Sequence, residues 1–445
     1  MTSINASADV LVPLSPVDAV LLNYGFAVIY VFPAPASNSE DFNVQKLENA
    51  FRDLVNEDYR VLIGEVQVNK ATGRVGVLQT LEARQKGSTG LRFEQQPKNS
   101  LTSDEVVQSL EWSFMPSKLE KNETIAIRCT PLADGGVTIG ITLNHTLMDG
   151  EGLFTFVRAW GQRYSGVANE GRLVINHDRH LLSGTGRGSQ RPHPAIRIVP
   201  PPSGETIPIS QLPATTQHAF HVSRKNMSNL KALASTASEK SATDPPFVST
   251  IDIVTALFVV LISRARGHGQ DVRITTGVNA RQRLDPPLPT NYAGNCVFSA
   301  LSAYSKEDLQ PETDSDDAGI NPATLIKLSR RVRTSILELD SEFLRDSIEF
   351  VAQQEHLSRV VVSTKYILGP DLMFTSWTNM GLYDAEFSRT RPCYAGIAKV
   401  PFLDGMVVIA EAAKGVDGLD VLVFLECAAM QRLKVTCEQV SHLQD

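Results

Sequence analysis

His145, Asp149 and Gly150 fall in the run His145-Thr146-Leu147-Met148-Asp149-Gly150, where an imidazole and a carboxylate lie four positions apart. An imidazole in low-dielectric surroundings resists protonation, so it stays neutral near pH 7 and can act as a base. Such a base takes the proton of an alcohol or amine as that group attacks an activated carbonyl. The run sits where a strand pattern gives way to a helical one, so spacing alone does not bring the two side chains together. Asp149 stands where a helix cap belongs, and Gly150 supplies the tight turn behind it. His145 is therefore read as the catalyst, and Asp149 as its support: a cap and the partner of an arginine. Without catalysis, the same residues describe a buried strand-end histidine followed by a capping aspartate.

The flanking elements place this run. Residues 124–144 read as a hairpin turning at Asp134-Gly135-Gly136, because glycine accepts the positive φ of a tight hairpin. Val137, Ile139, Ile141 and Leu143 alternate with Thr138, Gly140, Thr142 and Asn144, so the aliphatics share one sheet face, and His145 has their parity. Leu153, Val157, Trp160 and Tyr164 then follow at helical spacing. A second strong helical pattern covers residues 247–266, with Ser249 or Thr250 as cap, Asp252 in its first turn and Arg264 and Arg266 in its last. Strands are expected at residues 372–378, 406–411 and 419–426, the last two joined by a turn over residues 414–418. Residues 183–213 are dense in glycine, proline and serine and read as a long crossover linker without helix or sustained strand. Residues 305–322 read as an acidic surface insertion. Strands and helices mix without a regular βαβ rhythm, which predicts an α/β fold with mixed sheets.

Composition narrows the class. The 445 residues carry 42 Lys plus Arg against 49 Asp plus Glu, a net charge of −7, which argues against a nucleic-acid-binding face. With 42% hydrophobic and 20% charged residues, the chain can build a large soluble core, and disorder throughout is excluded. Cys129, Cys296, Cys393, Cys427 and Cys437 form no CxxC pair, so a reducing compartment is expected rather than a disulfide framework or zinc knuckle. The longest apolar run, residues 253–262, is far short of the roughly 20 residues of a membrane span. The N-terminus shows no signal-peptide pattern. A cytoplasmic protein with neither membrane nor nucleic-acid partners is expected. His177 and His180 have no third ligand nearby, so no metal is expected. The absence of GxSxG, P-loop, HExxH and GxGxxG patterns removes the simplest hydrolase, NTPase, metalloprotease and dinucleotide readings.

Residues 145–166, HTLMDGEGLFTFVRAWGQRYSG, resemble the signature of the BAHD-type, acyl-CoA-dependent acyltransferases, including the spacing to Phe156, Trp160 and the closing Ser165-Gly166. Further segments resemble the family in its own order: LSPVD at 14–18, HDRHLL at 177–182, the helix at 247–266 and NARQRLDPPLPTNYAGN at 279–295. FTSWTNMGLYDAEF at 374–387 and GLDVLVFLECAAMQRL at 418–433 complete the series. The flavour is that of the fungal branch acting on secondary metabolites, similar to trichothecene acetyltransferases.

The resemblance implies two chloramphenicol-acetyltransferase-like lobes, residues 1–182 and 214–445, joined by the 183–213 linker, with a segment near 370–400 packing on the N-terminal lobe. It implies a monomer with a channel between the lobes, an acetyl-CoA or other acyl-CoA co-substrate, and a small-molecule acceptor alcohol or amine. His145 matches the family's base. Thr375 and Trp377 match residues that line the site and hold the tetrahedral intermediate, where a hydroxyl donor suits the developing oxyanion. Ser249, Thr250, Arg281, Arg283 and Ser376 are the candidates to hold CoA, with Lys225 and Lys231 as further cations. One segment departs from the family: its DFGWG motif reads Glu386-Phe387-Ser388-Arg389-Thr390 here. Glu386 is expected to replace the family's aspartate by pairing with Arg283 or Arg281, while loss of both glycines changes the backbone angles open to the loop. The expected reaction is O-acyl transfer in a ternary complex, without an acyl-enzyme. The alternatives are a CoA-independent, base-promoted reaction such as cyclisation, an inactive binding homologue, and a peptide-synthetase condensation domain. The last would carry a second histidine where this chain has Asn144.

Overall fold

In the computed structural model, which describes residues 8–22, 24–36, 40–201, 211–236, 245–310, 320–400, 403–413 and 415–440, each half of the chain builds a sheet of its own. The first half runs β1 (Val10–Pro13), α1 (Pro16–Val20), β2 (Gly25–Phe32), α2 (Val44–Glu57), β3 (Glu65–Val68) and β4 (Val75–Gln79). It continues through α3 (Leu81–Lys86), β5 (Arg92–Gln95), α4 (Ser103–Ser109), β6 (Ile125–Pro131), β7 (Val137–Asn144) and α5 (Gly150–Tyr164). The second half comprises β8 (Ile196–Ile198), β9 (Thr215–Val222), α6 (Arg224–Thr236), α7 (Thr250–Arg266), β10 (Val272–Asn279), β11 (Val297–Tyr304), α8 (Lys306–Leu309) and α9 (Pro322–Leu337). It ends with α10 (Ser341–Ala352), β12 (Val360–Val362), β13 (Leu372–Ser376), β14 (Tyr394–Gly396), β15 (Met406–Glu411), β16 (Leu419–Glu426) and α11 (Cys427–Cys437).

The principal sheets are five-stranded, ordered β14-β2-β7-β6-β5, and six-stranded, ordered β11-β10-β13-β15-β16-β9. Both mix directions: β5 runs parallel to β6, and β13 parallel to β10 and β15, within otherwise antiparallel ladders. This is the mixed, two-lobed α/β architecture expected from the sequence. Strand β14 comes from late in the chain yet pairs with β2, Ala395 opposite Tyr30, so it completes the first sheet rather than the second.

Helix α7 is apolar on nearly every side because it is covered on nearly every side: Ile253 to Ile262 are buried without a break, and α9 and α11 pack against it. Each of its Ile, Val, Leu and Phe side chains contributes roughly 1.5–3 kcal/mol on leaving water. Ser249 caps α7 in a reciprocal box with Asp252, and Gly267 ends it at φ 71°. The strand expected at 372–378 stops at Ser376. The crossover segment, expected to lack strand, carries β8, which pairs with β12 through Arg197 and Val361. Three residues between prolines are too few for alternation to register. Within the acidic insertion, Ser305 caps the short α8; residues 311–319, like 202–210 of the linker and Lys414 of the last turn, lie outside the described residues. Among the described residues no helix is long and apolar enough to cross a membrane.

Candidate active site

Strand β7 ends in a side-chain-closed turn. Asn144 Oδ1 accepts from the Thr146 amide at 3.2 Å and the Thr146 hydroxyl at 2.8 Å, and the Leu147 amide donates to the Asn144 carbonyl at 3.0 Å. His145 sits at this corner. Its ring stacks on Phe26 of β2, with centroids 4.7 Å apart and planes 19° apart. Phe26 meets Trp377 edge-on at 6.0 Å, and Trp377 meets Phe154 of α5 at 5.5 Å. His145 and Trp377, more than two hundred positions apart, thus share one aromatic neighbour. The histidine remains partly accessible although its Nδ1 is fully buried without a hydrogen-bond partner. Burial holds its pKa below the ordinary imidazole value, against the opposing pull of its own backbone carbonyl, Asp149, Asn295 and Asp18. The ring is therefore neutral at pH 7.

Asp149 does not hydrogen-bond this ring. Its carboxylate caps α5 through the Gly152 amide at 3.0 Å, accepts from the Cys296 amide at 2.8 Å, and meets Arg281 in a bidentate pair at 2.9 and 2.8 Å. Burial alone would raise its pKa; Arg281 and these amides outweigh burial and hold it below the ordinary value. Asp149 thus stands as a cap and the partner of an arginine, not as a group that touches the reacting atoms: its acceptor capacity is taken up by structure. Arg281 also donates to the Gly294 carbonyl at 2.6 Å and is buried. Its assignment to CoA is corrected for the same reason, since the guanidinium is spent inside the protein.

A second buried carboxylate, Asp18, supports the other side of the corner. It accepts from the amide and side chain of Asn295 at 2.9 and 2.8 Å, from Arg179 at 3.0 Å, and from Ser15. Arg179 reaches on to the Leu147 carbonyl at 2.8 Å, and Asn295 to the His145 carbonyl at 2.9 Å. The family-like segments at 14–18, 145–150, 177–182 and 279–295 interlock here. Phe26, Asp18, Arg179 and Asn295 were not singled out from the sequence; parity within GFAVIYVF was the available signal for Phe26, and the motif segments themselves for the others.

Thr375 and Ser376 end β13 and are partly accessible, and the Ser376 hydroxyl pairs with that of Thr378 at 2.8 Å. Gly150 opens α5 beneath the aromatic group; a Cβ there would lie 3.6 Å from the Phe154 ring and 3.7 Å from Trp377. Ser249 and Thr250 begin α7, and the Ser249 hydroxyl accepts from the Asp252 amide. Arg283 donates to the Ile336 carbonyl at 3.1 Å; burial and the neighbouring Arg333 lower its pKa. Glu386 pairs with neither Arg281 nor Arg283. It faces Arg391 at 3.8 Å beside Gly161, near the end of α5, whereas Arg281 is held by Asp149 at the start of that helix. Cationic side chains do line a groove along α9 and β11, where Lys327, Arg330 and Arg331 face Leu301 to Ala303. Arg333 ties that helix to the start of α7 through Asp252 at 2.7 Å. His177 bonds the Asp58 carbonyl at 2.7 Å, and burial pushes its pKa down to about 4. Among the described residues, no group of three or more potential metal ligands occurs.

The sequence profile described as the transferase family matches residues 3–440. The chain belongs to this family, the BAHD acyltransferases. A hydroxycinnamoyltransferase of Narcissus pseudonarcissus is 24% identical over 438 residues, 94% of this chain and 92% of the relative. Among solved structures, F. graminearum TRI101 complexed with coenzyme A and deoxynivalenol aligns with a TM-score of 0.76 at 16% identity, covering 96% of this chain and 97% of that one. Vinorine synthase aligns at 0.67 with 20% identity, covering 98% and 99%. These likenesses show the shared fold; family membership makes the chain an acyltransferase that uses acyl-CoA and a small-molecule acceptor.

Proposed function

We propose that this acyltransferase moves an acyl group, acetyl being the simplest, from CoA to a hydroxyl of a small secondary metabolite, with His145 as general base. The observation that carries the reading is the placement of His145: neutral, stacked on Phe26, partly accessible, and fixed through Asn295. With Nδ1 buried, Nε2 is the ring nitrogen left to take the proton of the acceptor hydroxyl. That oxygen attacks the thioester carbon, and the carbonyl oxygen becomes an oxyanion facing Thr375. Collapse breaks the carbon–sulfur bond, and the proton on Nε2 passes to the CoA thiolate. No acyl-enzyme is required. No serine or cysteine among the described residues hydrogen-bonds the His145 ring, and burial pushes the nearby Cys296 thiol up to about 12.

The groove along α9, where Asp308 pairs with Lys327 and Arg331 and Arg330 lies alongside, and the start of α7 with Ser249 and Thr250 are the surfaces we assign to CoA phosphates. The likeness to TRI101 supports kinship with the fungal secondary-metabolite branch, whereas the named sequence relatives, such as the Narcissus enzyme, are from plants. His145→Ala should fold with an unchanged thermal midpoint and lose at least about 10²-fold in kcat, the scale of a missing acid–base group. Transfer at the wild-type rate by that variant would remove His145 from the mechanism.

A further inference from the structure

Gly277 lies inside β10, a strand hydrogen-bonded on both sides. Its φ lies outside the left-handed region, so backbone conformation does not require glycine, and glycine within a strand weakens it. Space is the remaining reason. In register, Gly277 stands opposite Ser299 on β11 and Thr375 on β13, so the three form one row across the sheet. All three are partly accessible. A Cβ on Gly277 would lie 3.4 Å from Thr375 Oγ1 and 3.6 Å from Val297 Cγ1, ordinary contacts that the protein tolerates. Glycine therefore leaves a furrow between two hydroxyl-bearing residues, with one wall at Thr375.

The other end of the row meets a cavity. Val297 and Ser299 line it together with Val20, Phe298, Phe343 and Val361, and its volume is about 70 Å³. That exceeds the roughly 10–15 Å³ needed by one water and falls well below the roughly 300 Å³ of a pocket for a whole small molecule. It suits part of a ligand. None of its lining residues is Lys, Arg, Asp or Glu. The imidazole that reaches it, His193, is engaged by Asp346 at 2.8 Å and Ser347 at 3.2 Å.

We propose that Gly277 is a specificity-determining residue, whose missing side chain lets an uncharged, apolar acyl chain longer than acetyl run from the carbonyl at Thr375 toward the Val297–Val361 cavity. The inference rests on the reading of Thr375 as the residue facing the thioester carbonyl, since the acyl chain is the group bonded to that carbon. An acyl chain fits the cavity because its lining offers apolar contact and no counter-charge.

Calorimetry on the full chain with free CoA, acetyl-CoA, hexanoyl-CoA and p-coumaroyl-CoA tests it. Wild-type protein should bind hexanoyl-CoA at least about tenfold more tightly than acetyl-CoA, a fraction of what four buried methylenes supply. Gly277→Val should keep its thermal midpoint and its affinity for free CoA, yet lose at least tenfold in the hexanoyl-to-acetyl affinity ratio. Gly277→Ala, the milder change, should fall between. An unchanged ratio in both folded variants would overturn the proposal, as would wild-type affinity that ignores chain length. So would a Gly277→Val defect seen only when the acceptor is varied. Wild-type protein that binds no CoA thioester would instead overturn the acyltransferase mechanism itself, and this inference with it.

Discussion

Stacking on Phe26 and burial of Nδ1 strip water from much of the His145 ring, and the cost of charging it there lowers its pKa. The sign matters for catalysis. A base works unprotonated, so lowering its pKa widens the pH range in which the enzyme is competent. We expect kcat/KM to stay level from about pH 7 to 8 and to fall tenfold per unit only below the ordinary imidazole value of about 6.5. A rate profile from pH 4.5 to 8.5 reads this directly, and an acid limb centred above pH 7 would assign the base to another group. At this scale, much of the site was legible. The parity of Val137 to Leu143 led to His145 at the end of β7, and the family-like run singled out Thr375 and Trp377, of which Trp377 shares Phe26 with the histidine. Phe26 and Asn295 were not legible, because their importance comes from strand register and a fold-back spanning 150 residues, neither of which leaves a local pattern.

Loop 386–390 shows how an element can keep its place while losing its usual residues. Phe387 and Thr390 exchange backbone hydrogen bonds at 3.0 and 2.8 Å, and between them Ser388 and Arg389 take φ of 48° and 58°. Both are left-handed angles that suit glycine and strain other residues by roughly 1–2 kcal/mol each. The loop holds because Phe387 is buried against Phe32, Trp160 and Tyr164, and because Gly161 of α5 lets the Glu386 backbone approach closely. Opposite signs follow for two substitutions. Arg389→Gly should stabilise the protein by about 0.5–1 kcal/mol by relieving the angle, whereas Gly161→Ala should cost about 1–3 kcal/mol because its Cβ would overlap the Glu386 carbonyl. Thermal denaturation of both variants checks the pair; stabilisation by Gly161→Ala would refute the docking account. The helices α5 and α7 were readable from their caps and stripes, and β15 and β16 as strands on either side of the turn over residues 414–418. Strand β8 was not, since its ladder depends on a partner, β12, that lies over 160 residues away.

At the scale of the whole molecule, the two lobes meet through a buried ion pair and buried hydrogen bonds as well as through apolar contact. Asp149 belongs to the first lobe, while Arg281 and Cys296, which hold it, flank β10 and β11 of the second. Asp18 and Asn295 make a parallel tie. From the sequence alone, Asp149 has an unnamed arginine partner, and Arg281 or Arg283 is expected as a pairing partner only for Glu386. The 281–294 fold-back points Arg281 inward to Asp149 instead. Removing one member of a buried pair leaves the other uncompensated, at a cost of about 3–5 kcal/mol. Asp149→Ala should therefore lower the unfolding free energy by that amount, with Arg281→Met costing less because Asp149 keeps two amide donors. The carboxylate's folded pKa lies below its unfolded value, so its stabilisation is fully present above about pH 4 and is lost as pH falls through the folded value. The difference in stability between wild type and Asp149→Ala should accordingly shrink in acid and stay constant from pH 5 to 8. Chemical denaturation at several pH values measures it, alongside kcat for the fraction that remains folded. If folded Asp149→Ala loses kcat as deeply as His145→Ala, while its stability is unchanged, the carboxylate acts on the chemistry and not on the joint between the lobes.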